Sequence, residues 1–229
     1  MTSESQALAF VNALAGVSLP NVFNPYAEVC PFSDRSNAPM IRSRNLKRAL
    51  SSAIEIGVAS VWIAQDLGYR GGRRTGLALT DEAHLAEHGH MLSTEPFLKA
   101  TRGPALAERT ANVVWHALRN INQPILLWNV FPLHPHQFSE PLSNRCHSRF
   151  ERAIGLKFLS RLLDIVNPEL VVTIGLQAES ALRQIHVRSE RARHPSYGGQ
   201  KSFLASMSEL YGCPIDTSIV PRGKAHINE

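Results

Sequence analysis

Three short runs of the chain are almost wholly apolar: residues 61–63, Ile125–Phe131 and Leu170–Ile174. They are too short for buried helices, and they lack the alternation of a strand with one wet face. They read as strands buried on both sides. Between them lie longer stretches with apolar residues at helical spacing. Residues 41–56 carry Leu46, Leu50, Ala53 and Ile54; 105–118 carry Val113, Val114 and Ala117; 150–166 carry Ile154, Phe158, Leu159, Leu162 and Val166. A last helix is expected over about 200–210, and Asn167-Pro168 separates helix from strand. Strand alternating with helix predicts an α/β sandwich around a mostly parallel sheet.

With 229 residues, 44% of them hydrophobic, the chain has enough apolar material for one domain over 1–229. No stretch approaches the ~18 consecutive apolar residues of a membrane span. The start, Met1 to Gln6, is polar, so a secretory signal is not expected and a cytoplasmic location is the default. Cys30, Cys146 and Cys213 are far apart and form no CxxC pair, which argues against a disulfide framework, a zinc ribbon or an iron–sulfur cluster. The formal net charge of +5 favours a polyanionic partner without specifying one.

In parallel sheets, ligands bind beyond the carboxyl ends of the strands. Three such ends carry chemistry. The first is Gln65-Asp66-Leu67-Gly68, followed by Tyr69-Arg70-Gly71-Gly72-Arg73-Arg74-Thr75-Gly76-Leu77-Ala78-Leu79. A carboxylate stands at a strand mouth, and a loop rich in glycine and arginine follows. Glycine lets backbone approach a ligand and arginine neutralises phosphate, although a solvated decorative loop has the same composition. No Gly-Lys-Ser/Thr ends it, which excludes a P-loop. The second is Trp128-Asn129-Val130-Phe131-Pro132-Leu133-His134. Asn129 interrupts an apolar run, either for a structural bond to backbone or to read the edge of a flipped base. The third is His194-Pro195-Ser196-Tyr197-Gly198-Gly199, with Gln200 opening the next helix. Such a turn holds an imidazole rigidly and offers backbone N–H groups to phosphate.

In this order, the three segments resemble the uracil-DNA glycosylase superfamily over roughly residues 60–210. Ala64-Gln65-Asp66-Leu67-Gly68 and Gly76-Leu77-Ala78-Leu79 stand where the family has Gly-Gln-Asp-Pro-Tyr and Gly-Leu-Ala-Phe. The strand ending in Asn129 and the intact His194-Pro195-Ser196 complete the set. The resemblance implies a three-layer α/β/α sandwich around a four-stranded sheet, and a monofunctional DNA glycosylase that needs no cofactor or metal, binds DNA and leaves an abasic site. It implies that Asp66 orients water and stabilises positive charge on the sugar, that His194 hydrogen-bonds the departing base, and that Asn129 reads its Watson–Crick edge. Gln65, Gly68, Leu79 and His134 would border the base pocket. Arg70, Arg73, Arg74, Ser196, Tyr197 and Gln200 would contact DNA. Neither a membrane nor an obligate protein partner is implied.

Two departures bear on specificity. Gly68 replaces the tyrosine that blocks bulky groups at pyrimidine C5, and Leu79 replaces a stacking phenylalanine. A pocket without that gate could admit hydroxymethylated or glucosylated pyrimidines of phage DNA, which would make the enzyme one of defence and not repair. The competing class is a non-catalytic DNA or abasic-site binder on the same fold. His84 and His88 share a helical face, as zinc ligands can, but lack the neighbouring Glu of a metalloprotease. A solvated helix surface is the expectation there. His134, His136, Cys146 and His147 also could be grouped as metal ligands, yet a loop bordering the base pocket explains His134 better. Trp62 and Trp128 are expected in the core.

Overall fold

A computed structural model describes residues 1–218, so the expected domain 1–229 runs past the described residues. The elements in chain order are α1 (Ser3–Ala15), β1 (Val22–Phe23), α2 (Ala38–Ile56), β2 (Ser60–Asp66), α3 (Gly72–Thr75), α4 (Leu85–Met91), α5 (Arg109–Ile121), β3 (Ile125–Phe131), β4 (His134–Pro135), α6 (Arg149–Val166), β5 (Leu170–Ile174), α7 (Leu176–Gln184), β6 (Glu190–Ala192) and α8 (Gln200–Tyr211). The main sheet has the order β3-β2-β5-β6 and all its pairings are parallel. The small ribbon β1-β4 is antiparallel.

The apolar runs become the central strands because both of their faces are covered. Val61, Ile63, Trp128 and Val171 point into one core, with Leu14, Leu50, Leu159 and Leu182 from α1, α2, α6 and α7. Trp62, Leu127, Val172 and Ile174 point into the other, with Trp115, Leu118, Phe203 and Met207 from α5 and α8. This is the three-layer α/β/α sandwich around a four-stranded sheet. Trp62 and Trp128 are core anchors as expected: both are buried, Trp128 meets Phe10 edge-on, and Trp62 Nε1 donates 2.6 Å to the Tyr211 hydroxyl. That bond ties α8 to β2.

The strand order positions the site. From β2 the chain adds β3 on one side, then crosses back to lay β5 on the other. The connection leaving β2 covers one face of the sheet with α5, the connection leaving β3 covers the other with α6, and a crevice opens at the carboxyl ends of these neighbouring strands, where ligands bind in open α/β sheets. Register sets what lines it: Ala64 lies opposite Asn129 and Asp66 opposite Phe131.

Two expectations about histidines are corrected. His84 and His88 are buried, not on a solvated surface. His84 Nδ1 donates 2.7 Å to Asp81 Oδ1 and its ring stacks on Trp115, while His88 Nδ1 pairs with the Thr80 hydroxyl at 2.9 Å. Both pack the 3-10 turn Glu82–His84 and α4 against α5. Among the described residues, no group of three or more His, Cys, Asp or Glu is arranged to hold a metal ion, and no helix is long and apolar enough to cross a membrane.

Candidate active site

Asp66 is the last residue of β2, so its carboxylate emerges where the sheet ends. Its Oδ1 accepts a 2.5 Å hydrogen bond from His147 Nδ1, and its Oδ2 accepts one of 3.3 Å from the His147 backbone N–H. Arg152 Nε donates to His147 Nε2 at 3.1 Å. With Nε2 accepting, the ring hydrogen on Nδ1 is aimed at Asp66. Arg152 is itself held by Gln177 Oε1 at 3.1 Å. Burial raises the Asp66 carboxyl above its ordinary value, and the bonds from His147 act against that rise.

Residue type and spacing alone did not single out His147 as a partner of Asp66. A signal was nevertheless in the sequence. Ser148-Arg149-Phe150-Glu151 is a capping box: Ser148 Oγ accepts from the Glu151 N–H at 3.2 Å, and Glu151 Oε2 accepts from the Ser148 N–H at 2.6 Å. Arg145 clasps the same Glu151 carboxylate at 2.7 and 2.8 Å. The residue just before such a box has little freedom, and here that residue is His147.

Asn129 is 1% exposed, and neither its Oδ1 nor its Nδ2 has a hydrogen-bond partner among the described residues. An orphaned buried amide costs roughly 1–3 kcal/mol per unmade bond, so it is out of place as a structural residue. Its side chain lines a cavity of about 110 Å³ shared with Asp66 and His194. Gln65, Gly68 and Leu79 line it as well. Leu79 takes a left-handed backbone with φ 54°, rare for a non-glycine, and its carbonyl accepts from Trp115 Nε1 at 3.2 Å. Another cleft, about 10 Å³ between α1, α2 and α6, is lined mostly by apolar side chains and carries no such chemistry.

His194 follows β6 and is half-buried. Its Nδ1 accepts from the Ser196 N–H at 3.2 Å and pairs with Ser196 Oγ at 2.7 Å. Nδ1 is therefore an acceptor and the neutral ring keeps its proton on Nε2. Burial lowers its pKa, which favours this neutral form. Glycine is needed to close the turn, because a Cβ at Gly199 would lie 2.0 Å from the His194 carbonyl oxygen.

The remaining expected residues divide. Arg70 and Tyr197 are exposed, Tyr197 at 98%; Ser196 is engaged with His194, and Gln200 opens α8. Three expectations need correction. His134 does not line the cavity: it is buried in the β1-β4 ribbon and its Nδ1 donates to the Leu67 carbonyl at 2.8 Å. Arg73 does not face phosphate, because the loop coils into α3 and lays its guanidinium, 3% exposed, over the Phe23 ring at 3.9 Å. Arg74 is also turned inward, to Glu82 Oε2 at 3.1 Å and Thr101 Oγ1 at 3.0 Å. Among the lining residues outside the expected set, Glu108 is the one that carries a charge-bearing group; it caps the N-terminus of α5.

The sandwich and its strand-end cavity define a uracil-DNA glycosylase-like fold. A solved structure that shares it is the crystal structure of wild-type Pedobacter heparinus SMUG2, a member of the uracil-DNA glycosylase superfamily. The two chains are 13% identical, the match covers 93% of this chain and 96% of that one, and the TM-score is 0.63. No family model matches the sequence, and no curated protein matches it.

Proposed function

We propose that this chain is a monofunctional DNA glycosylase of the uracil-DNA glycosylase superfamily. It takes a pyrimidine-type base flipped out of DNA and hydrolyses its N-glycosidic bond. The observation that carries this reading is the Asn129 amide, buried and unpaired at a cavity where a carboxylate and a neutral imidazole also converge. A base edge supplies the donors and acceptors that Asn129 lacks.

The reaction uses water. The C1′–N bond breaks, its electron pair leaves with the base, and positive charge grows on the sugar. The Asp66 carboxylate stabilises that charge and orients the water whose oxygen bonds to C1′. The water's proton leaves through Asp66 or solvent. His194 Nε2–H donates to a carbonyl oxygen of the departing base, where negative charge collects. No lysine lies in the strand-end segments to form a Schiff base, so the product is an uncut abasic strand. Arg70 supplies a phosphate contact and Tyr197 enters the vacated stack.

With Gly68 and Leu79 at the cavity, the substrate we favour carries a substituent at pyrimidine C5. Hydroxymethylated or glucosylated cytosine of phage DNA fits that description and gives the enzyme a defensive role. The test is a panel of oligonucleotides containing uracil, thymine mismatches, hydroxymethyluracil and glucosylated hydroxymethylcytosine. Free base and alkali-labile abasic sites are expected from at least one, without borohydride-trapped adducts. Binding without any base release would favour the non-catalytic alternative.

A further inference from the structure

Glu108 has no role in the reaction just described, yet its carboxyl lines the same cavity. It caps α5 through its backbone only. Its N–H donates 2.6 Å to Asp81 Oδ2, and its side chain makes no capping bond. Among the described residues the carboxyl has no hydrogen-bond donor and no ion pair. The nearby Arg70 side chain is exposed and its Nε is given to the Tyr69 hydroxyl at 2.7 Å. Burial and, after it, the neighbouring Asp81 disfavour the charged carboxylate, and the charge of the nearby Arg70 acts against them.

The loop after β2 is shaped to admit it. A Cβ at Gly71 would stand 2.2 Å from Glu108 Oε2, and one at Gly68 would stand 3.4 Å from Oε1. The two glycines leave the space that the carboxyl fills, and Gly68 also lines the cavity. The acid thus takes over the wall that Gly68 vacates. An acceptor oxygen without a donor, on the wall of a ligand cavity, is a recognition element for a donor on the ligand.

We propose that Glu108 is a specificity-determining residue, which accepts a hydrogen bond from a hydroxyl or amine on the C5 substituent of the flipped pyrimidine. The inference rests on the base-excision reading, with Gly68 on the C5 side. It sharpens the substrate class to pyrimidines whose substituent ends in a donor: hydroxymethyl, aminomethyl or a sugar attached through hydroxymethyl. A methyl group in the same place leaves the carboxyl unpaired, and a site built for a donor rejects the analogue that lacks one.

The test compares wild type, Glu108→Gln and Glu108→Ala on oligonucleotides carrying uracil, 5-methyl-, 5-hydroxymethyl-, 5-aminomethyl- and glucosylated 5-hydroxymethylpyrimidines. Wild type should excise donor-bearing substrates at least about 10-fold faster than methylated ones. Glu108→Ala should erase that preference while changing the uracil rate less than about 3-fold. Glu108→Gln, which keeps an acceptor oxygen, should retain part of it. Both variants should melt near the wild-type temperature, because the side chain makes no hydrogen bond in the fold. Equal losses on every substrate, or a lower melting temperature, would overturn the assignment and leave the excision reading standing. If wild type releases no base at all, that reading fails, and binding to the same oligonucleotides decides the subsite. Tighter binding of donor-bearing DNA that Glu108→Ala abolishes supports it, and equal binding overturns it.

Discussion

At the scale of single residues, the proposed chemistry turns on the Asp66–His147 pair. Burial raises the Asp66 carboxyl, and His147 partly restores its acidity by donating from Nδ1 and from backbone N–H. The proposed excision needs the carboxylate, so the rate should rise with pH through a limb that lies above the ordinary carboxylate value. His147→Leu keeps the site dry and removes the side-chain donor. Its limb should move to higher pH, and its plateau should fall about 10–100-fold with DNA affinity retained. His147→Asn, which offers an amide N–H, should recover part of both. A pH–rate profile under single-turnover conditions reads both effects; an unshifted limb would show that His147 leaves the acidity of Asp66 alone. His147 touches Asp66 and no reacting atom, so it is a positioning residue.

Secondary-structure elements deliver those residues, and the α6 capping box is the clearest device. Ser148→Ala should cost about 1 kcal/mol of stability and, by loosening His147, slow excision as well. Urea unfolding and single-turnover rates on the same variant check both parts, and a stability loss with no change in rate would uncouple the box from the site. Much of this level is legible in the sequence. β3 and β5 have the bounds that their apolar runs predict, because strands buried on both faces need unbroken apolar residues. β6 is hidden because it is an edge strand: only Ala192 of its three residues is buried. α5 begins at Arg109 and not near residue 105, since the preceding segment stays extended and turns back to Asp81 through the Glu108 N–H. That shift of one helical turn is what brings Glu108 to the cavity, and no periodicity encodes it. Likewise, charge and glycine content marked the 68–76 loop as a phosphate binder, yet a short helix turns Arg73 onto Phe23. Asp66, Asn129 and His194 were legible because each is a polar residue at the end of an apolar run or in a rigid turn.

For the whole molecule, the proposed function divides charge and protonation into a part for DNA and a part for stability. Arg70→Ala should weaken binding to different sequences about equally and reduce the slope of log affinity against log salt by about 1. Arg73→Ala should leave that slope unchanged and destabilise the fold, because its guanidinium is packed inside. Burial lowers His88 to about 3 and His134 to about 4, from an ordinary 6.5. Both rings are neutral when folded, so their contribution is complete above pH 6.5 and is lost as pH falls toward those values. The slope is about 1.4 kcal/mol per pH unit for each ring. The raised Asp66 and Glu108 carboxyls act with the opposite sign. Urea midpoints should therefore drop between pH 7 and 5.5, and His88→Gln should remove part of that drop; an unchanged slope would contradict the burial of a neutral His88. The central claim is that the buried Asn129 amide, the Asp66 carboxylate and the His194 imidazole act together on a flipped base. Its most direct test is the single-turnover rate of free-base release, measured with binding on the same DNA, for wild type, Asp66→Asn, Asn129→Ala and His194→Ala. We predict base release by wild type, losses of about 100-fold or more in each variant, and binding within a few-fold of wild type. Wild-type rates in the variants, or no base release from any modified pyrimidine, would contradict it.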